Sequence, residues 1–512
     1  MTVAGTAQLR VLEPAARRAP HEIVHKILLL VRPSFNIHHS SSVGAWVFTA
    51  RQTDFSLYLC GMRFFLALRL VSRMWNAVVG SIAYREVVVP TRYPVMHDSS
   101  EGLQGGVSAT SSSGIKKYFS SVPTINTRIT NPELPISRLI HFLQHIDTPG
   151  SESENFVTEH TRSLVLYDFC HPFGPNNYAE DRGLINSIIK KFANSDIRSL
   201  HSYGKETYAF PSRSWVEECL PHLPRTLESL SFDAVDRRTI SLALLNLGPF
   251  IKSLEIRNRS RLSDNDYVGN PASRIHLPLG IPYLTTLRLV NVAANIIEFR
   301  DVFSRIGSAT PHGSRSSSLE RLSIVQLFVL HESPPGPTIP LTDTEFYELL
   351  EINNIADSLT ELFIEPGVLS KRDTFSIWKP EMVTRIVKRC PRLQSFGYTS
   401  YVHQDLVEHL PQGLEHLELA LRPSCHLNAA SRDVSYLQSY PRFTEFVRRA
   451  MEIRSQKKEF KHLKVLLSNQ LQQTPGFWRL SFEEVNELFQ VGKAEFEAKC
   501  VEGGIELSFE VV

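Results

Sequence analysis

The sequence predicts an α/β solenoid with parallel strands on the concave side and helices outside, preceded by a small all-helical module. Three observations predict it. A strand-like phrase, L-x-x-L-x-L or a close variant, returns ten times after residue 160. Helix-like stretches lie between its copies, and the chain ahead of residue 90 lacks the phrase. The 512 residues also exceed what one compact core holds, whereas an elongated repeat domain grows without limit.

The first 18 residues, MTVAGTAQLRVLEPAARR, hold no apolar core of signal-peptide length and read as a disordered start. A module is expected over 19–89. Its first half is APHEIVHKILLLV (19–31), where Ile23, Ile27 and Leu30 share a helix face with Val24 and Leu28 beside them. Pro20 suits a first helical turn, where its missing N–H costs nothing. The second half is LALRLVSRMWNAVVGSIAYREVVV (66–89), in which Leu68, Val71, Trp75 and Val78 or Val79 follow three-and-four spacing. An insertion at about 34–60, with His38-His39 in a serine-rich run, separates the halves.

Residues 90–135 read as a linker, because HDSSEGLQGGVSATSSSGIKK (97–117) is rich in Ser and Gly. The solenoid is expected over 136–512. Its phrases are TRSLVL (161–166), IRSLHS (197–202), LESLSF (227–232), IKSLEI (251–256), LTTLRL (284–289), LERLSI (319–324), LTELFI (359–364), LQSFGY (393–398), LEHLEL (414–419) and LKVLLS (463–468). Successive starts are 36, 30, 24, 33, 35, 40, 34, 21 and 49 residues apart.

In each phrase the first, fourth and sixth positions are mostly apolar, the pattern of a strand with one buried face. Any single copy also fits an amphipathic helix; ten copies bounded by Pro or Gly favour strands. Helical spacing recurs between them at Trp215–Leu220, Asn295–Ile306, Thr344–Ile355, Pro380–Cys390 and Tyr440–Arg454. A strand-plus-helix unit cannot bury its apolar edge alone, so neighbours must stack. In CPRLQSF (390–396) the helix ends at a proline and a strand begins two to four residues later. The proline-rich HESPPGPTIP (331–340) reads as an exposed excursion, and SFEEVNELFQVGKAEFEAKC (481–500) as a last helix before a closing strand, IELSFEVV.

The repeated phrase resembles leucine-rich repeats over roughly two thirds of the chain. It departs from the commonest consensus in having no asparagine at the ninth position and in its uneven repeat lengths, so an irregular arc is expected. The amino-terminal pair of segments resembles the F-box, through Pro20-x-Glu22-Ile23, Ile27-Leu28, Leu70-Val71-Ser72-Arg73, Trp75 and Tyr84-Arg85. Ala19 stands where the family has leucine before the proline. This resemblance implies docking on a Skp-type adaptor, and through it a cullin–RING ligase, by Pro20, Ile23, Ile27, Leu28, Leu70, Val71 and Trp75. The chain would then be the substrate-recognition subunit of a Skp–cullin–F-box-type ubiquitin ligase. It would be a non-catalytic adaptor needing no cofactor, with an unknown protein target held on the repeats.

Residues between the buried leucines would face that target: Tyr167, Tyr203, Arg257, Arg288 and Arg321, then Glu361, Phe363, Glu365 and Glu418. A basic middle and an acidic later stretch would suit a partner of complementary charge. A plain solvated face is the simpler reading of the same residues. Two other readings of the whole chain stay open. One is a leucine-rich-repeat scaffold without any ligase, its first helices only a cap.

The other is a zinc metallopeptidase, because His21-Glu22-Ile23-Val24-His25 spells H-E-x-x-H. Such a site needs a third ligand. The extended motif would want Gly at 28 and His at 31, where Leu28 and Val31 stand, and no glutamate occurs between Glu22 and Glu86. His21 and His25 are therefore expected on the more exposed side of a helix, with no metal. No nucleophile elbow, P-loop or G-x-G-x-x-G occurs. Six cysteines without a C-x-x-C pair fit a reducing compartment, and cytosol or nucleus is expected. With 55 basic against 53 acidic residues and no long apolar run, neither nucleic acid nor membrane is an expected partner.

Overall fold

The computed structural model describes residues 21–32, 62, 65, 67–71, 73–92, 159–168, 190, 192, 196–203, 224–233, 250–257, 281–290, 292–306, 308–309, 315–330, 338–367, 378–399, 406–421, 448–449, 461–467 and 493–511. Residues 1–18, Pro20, the 34–60 insertion, the linker beyond Arg92 and the Trp215–Leu220 segment lie outside them, as does all but two residues of Tyr440–Arg454.

One parallel sheet runs through the described chain. Its strands are β1 (Glu86–Arg92), β2 (Ser163–Asp168), β3 (Ser199–Tyr203), β4 (Ser229–Asp233), β5 (Ser253–Arg257) and β6 (Thr286–Val290). After the short strands β7 (Ala293–Ala294), β8 (Ser308–Ala309) and β9 (Arg315–Ser316), the sheet resumes with β10 (Arg321–Val325). A further pair, β11 (Phe328–Leu330) and β12 (Thr338–Pro340), precedes β13 (Glu361–Glu365), β14 (Ser395–Tyr398), β15 (His416–Leu421), β16 (His462–Leu467) and β17 (Glu506–Val511). The twelve strands of the main sheet lie side by side in chain order, β1-β2-β3-β4-β5-β6-β10-β13-β14-β15-β16-β17. This is the order a solenoid requires, each unit stacking on the one before it.

The phrase sets the strand. The strand begins near its third residue, and where the side chains are described the first, fourth and sixth go into the core. Leu284, Leu287 and Leu289 are buried in this way, as are Leu359, Leu362 and Ile364 on β13 and Leu414, Leu417 and Leu419 on β15. Each fully buried leucine contributes about 1.5–3 kcal/mol, so three per repeat make the stack rather than the single unit stable. Register is continuous: Leu287 pairs with Leu322, Leu322 with Leu362, and Leu362 with Phe396.

Pairing corrects two readings of the repeats. Leu463 stands opposite Leu417, so the tenth phrase starts at residue 460, three residues earlier than LKVLLS. Glu86 stands opposite Ser163, which makes YREVVV the first rung of the same sheet.

A second regularity lies just before the strands. The carbonyl of the second phrase residue accepts two amides from the next repeat, from its second and third residues. This happens at ten successive junctions, with acceptors from Arg85 to Glu415, at 2.7–3.1 Å. Where the residue before the phrase is Ser or Thr, its hydroxyl adds a bond to the preceding repeat: Thr226 to the Ile197 carbonyl at 2.9 Å, Ser318 to Leu284 at 2.9 Å and Ser358 to Leu319 at 2.6 Å. Backbone groups that loops would leave unsatisfied are thus paired between repeats.

Helices cover the other side of the sheet. In the amino-terminal module α1 spans His21–Val31 and α2 spans Arg73–Ala83. Among the repeats lie α3 (Ile296–Ser304), α4 (Asp343–Glu351), α5 (Ile355–Ser358), α6 (Pro380–Arg389) and α7 (Leu406–His409). Asn295 with Glu298 and Thr342 with Glu345 form capping boxes at the starts of α3 and α4. Pro380 opens α6, and the chain turns at Cys390-Pro391 as the sequence predicts.

Asn353, at φ 53°, donates its amide to the carbonyls of Ser304 and Ile306 at 2.8 and 3.1 Å, closing the end of α3 from the next repeat. Helices are about 10 Å wide and strands lie about 4.8 Å apart, so the sheet takes the shorter, concave side. The proline-rich excursion is more ordered than expected, since Thr338–Pro340 pairs antiparallel with Phe328–Leu330.

Candidate functional site

Two surfaces present side chains for binding: one face of the amino-terminal module and the concave face of the sheet. In the module, Val24 and Leu28 are four residues apart and share a face of α1. They pack with Phe65, Val78, Val79 and Ile82, and Met62, Leu68 and Trp75 border this small core. The neighbouring stripe is left outside it. Ile23 is 51% exposed, Ile27 47% and Leu30 86%, and Leu70 in the short 3-10 turn Leu68–Leu70 reaches 89%. A helix of this size ordinarily buries one apolar stripe; α1 has a second one in solvent.

The expected docking residues therefore divide. Ile23, Ile27 and Leu70 are exposed, Val71 and Trp75 are half-buried, and Pro20 lies outside the described residues. Leu28 is corrected: with 0% exposure it belongs to the module's own core and is not available to a partner. Leu30 is the residue the expected set lacks, although its place seven residues after Ile23 marks it in the sequence.

Beyond α1, Arg32 approaches Glu86 of β1 at 3.7 Å and ties the module to the first rung. Burial pushes the Glu86 carboxyl above its ordinary range, and Arg32 opposes that only in part. In H-E-x-x-H, Glu22 is exposed and His25 half-buried. Among the described residues no three of His, Cys, Asp and Glu are grouped as a metal ion would need.

On the sheet, the third, fifth and seventh phrase positions alternate with the core positions, although Val165, Ser231, Glu255, Val325, Glu365 and Thr399 among them are themselves buried. Among the described side chains at these positions, three charged groups meet an oppositely charged or titratable partner on the next strand. Arg321 is 3.2 Å from Glu361. Glu255 stands 3.5 Å from Arg288 and accepts a 3.0 Å bond from the Ser231 hydroxyl. His462 meets Glu506 at 2.9 Å and stacks on His416 with ring centroids 4.5 Å apart. Register alone sets Asp233 opposite Arg257 and Glu418 opposite Lys464.

Arg288, Arg321, Glu361 and Phe363 thus come together on neighbouring strands of one face. Tyr167, Tyr203 and Arg257 hold the seventh position of their strands, where only the backbone is described. Glu365 is corrected: it is 1% exposed and accepts from the Gln326 amide at 2.7 Å, so it offers nothing to a target. Of the expected basic middle and acidic later stretch, Arg321 and Glu361 pair with each other, and Arg288 pairs with Glu255.

One uncharged feature interrupts the pairs. A Cβ added at Gly397 would lie 2.3 Å from Cδ2 and 2.9 Å from Cε2 of Phe363. The Phe363 ring therefore lies across the β14 backbone in space that only glycine leaves open. No sequence signal announces this contact, because it depends on the register between β13 and β14.

The architecture is that of a leucine-rich-repeat solenoid, defined by strand order and register within this chain. No known protein family matches the sequence, and no curated protein matches it. Among solved structures it is similar to one described as the crystal structure of the Rad7 and Elc1 complex in yeast, with 14% identity and a TM-score of 0.29. The match covers 64% of this chain and 69% of that chain. Among the described residues no helix is long and apolar enough to cross a membrane.

Proposed function

We propose that this chain is the target-recognition subunit of a Skp–cullin–F-box-type ubiquitin ligase. Its helices α1 and α2 dock on a Skp-type adaptor, and its repeats hold a protein target. The observation that carries this reading is the exposed stripe of Ile23, Ile27, Leu30 and Leu70 on a module set directly before a solenoid. A helical pair serving only as a cap would turn its apolar surface toward the repeats; this one keeps a second stripe for another protein.

Docking a face of this kind gains from burying the isoleucines and leucines, at about 25 cal/mol per Å² of apolar surface. Tethering the target beside activated ubiquitin then raises the effective concentration of its lysines, and the chain itself makes no bond.

Co-purification with a Skp-type adaptor tests the reading. Leu30→Asp and Ile27→Asp place a carboxylate in the stripe and should abolish capture at roughly micromolar protein while leaving the melting temperature unchanged. Trp75→Ala is a poorer probe, because Trp75 borders the module core and its loss confuses docking with folding. Failure of the unaltered chain to retain the adaptor, or capture indifferent to both aspartates, sinks the proposal.

A further inference from the structure

We infer that the joint between the amino-terminal module and the solenoid is a hinge with a weak latch, the contact of Arg32 with Glu86. The hinge stands whether or not the module docks an adaptor.

The two parts do not share a core. The module's cluster of buried side chains ends at Ile82 and Ala83, and the solenoid's begins at Val87. Between them lies the turn Tyr84-Arg85, in which Tyr84 already packs against the solenoid's cluster. Its amides still follow α2, Tyr84 donating to the Gly80 carbonyl at 3.0 Å and Arg85 to the Ile82 carbonyl at 3.3 Å. A chain that leaves one core and enters the next within a few residues can bend there with both cores intact.

Besides that connection, the end of α1 meets the first rung through Arg32 Nη2, 3.7 Å from Glu86 Oε1. Both side chains are mostly buried, and the separation is too long for a hydrogen bond. Arg32 Nε and Nη2 are buried with no hydrogen-bond partner. Two charges are thus taken from water without the hydrogen bonds that offset the cost, so the closed joint gains little from them.

Protonation shifts the balance. Burial raises the Glu86 carboxyl above its ordinary range by more than Arg32 lowers it. A group that holds its proton more tightly in the closed joint than in the open one favours closing as pH falls toward that ordinary range. Arg32 is the charge that α1 brings to it, and β2 sets the uncharged Ser163 in register with it. Arg85, next along the chain, is exposed, and Arg162 of the second rung turns to Asp196 at 3.4 Å. His25, seven residues before Arg32 on the same face of α1, is a second titratable group to be separated from Glu86 in any test.

Double electron–electron resonance on the full-length chain tests the hinge, with spin labels carried by noncanonical residues at the exposed Lys26 and Glu320. The distance distribution should be at least about twofold broader at pH about 7.5 than at pH about 5. Glu86→Gln should be narrow at both. Arg32→Met leaves the carboxylate buried alone, so it should be broader than the unaltered chain at the higher pH and narrow at the lower. Amide exchange at Thr360 and Glu361 should be the same throughout, because the solenoid does not take part.

One width in every sample overturns the inference. So does a pH response that survives Glu86→Gln, which would belong to His25, and so does broadening in that variant. If Arg32→Met loses protection at Thr360 and Glu361, the unaltered chain and Glu86→Gln still decide. No adaptor is present in these measurements, so their failure leaves the docking proposal to its own assay.

Discussion

At the scale of single residues, burial decides what chemistry is left. Cys390 at the end of α6 and Cys500 within the 493–502 helix are free thiols with no exposed surface. Desolvation is the largest cause that pushes each up to about 12. Neither is a nucleophile, and both should resist an aromatic disulfide reagent until the protein is unfolded.

The sign of the linked stability effect follows. A thiol whose folded pKa is raised binds its proton over a range where the unfolded thiol has lost it, so stability falls as pH rises from about 9 toward 12. The urea midpoint should drop across that range, and less steeply in Cys390→Ala than in the unaltered chain. Equal slopes would remove Cys390 from the explanation. Leu28 and Glu365 show why residue roles were only partly legible in the sequence. Periodicity places a residue on a face, but which face is covered depends on Phe65 packing against α1 and on Gln326 reaching Glu365, contacts far from the motif that suggested each role.

At the scale of elements, the apolar phrase and the helix starts were legible because both are local. The strand β13 starts at the third residue of LTELFI and runs one residue past it, and its Leu362 is buried between Leu322 and Phe396. Leu362→Ala should cost about 2–5 kcal/mol, read as a lower denaturant midpoint, because its neighbours on both strands are fixed by register and cannot close the gap. Thr342→Ala removes the capping box of α4 and should cost about 1 kcal/mol.

Arg389 joins α6 to the preceding repeat through Glu351 at 2.7 Å and also through Asp357, and this holds the Glu351 carboxyl below its usual range. These groups lie at the surface, so Arg389→Met should cost less than about 1 kcal/mol, and raised salt should shrink even that. A loss as large as that of Leu362→Ala would contradict this ranking. The elements misread from sequence are those whose identity is not local. The tenth phrase is not fixed by local sequence, because LKVLLS and FKHLKV are equally good strands, and only pairing with β15 selects between them. The Thr338–Pro340 strand was hidden because its partner, Phe328–Leu330, lies across a proline-rich stretch.

At the scale of the whole molecule, the strands stack in chain order and each repeat contacts mainly its neighbours. Stability is then spread as a sum of junctions, and the middle repeats, flanked on both sides, should open last. Hydrogen exchange tests this: the paired amides of Thr360 and Glu361 on the Glu320 carbonyl should be protected longer than those of Arg162 and Ser163 on Arg85. Uniform exchange along the sheet would mean a single cooperative unit instead.

The same unbroken order bears on how the protein is made. Every strand of the main sheet after the first bonds to one that precedes it in the chain, and for all but β17 the carbonyl that receives its first two amides is already in place. A chain leaving the ribosome amino end first can therefore add one rung at a time onto a finished template, with no rung waiting for residues still untranslated. The helices proposed to dock an adaptor emerge before any repeat, so the order of translation completes the module first and the surface proposed to hold a target last.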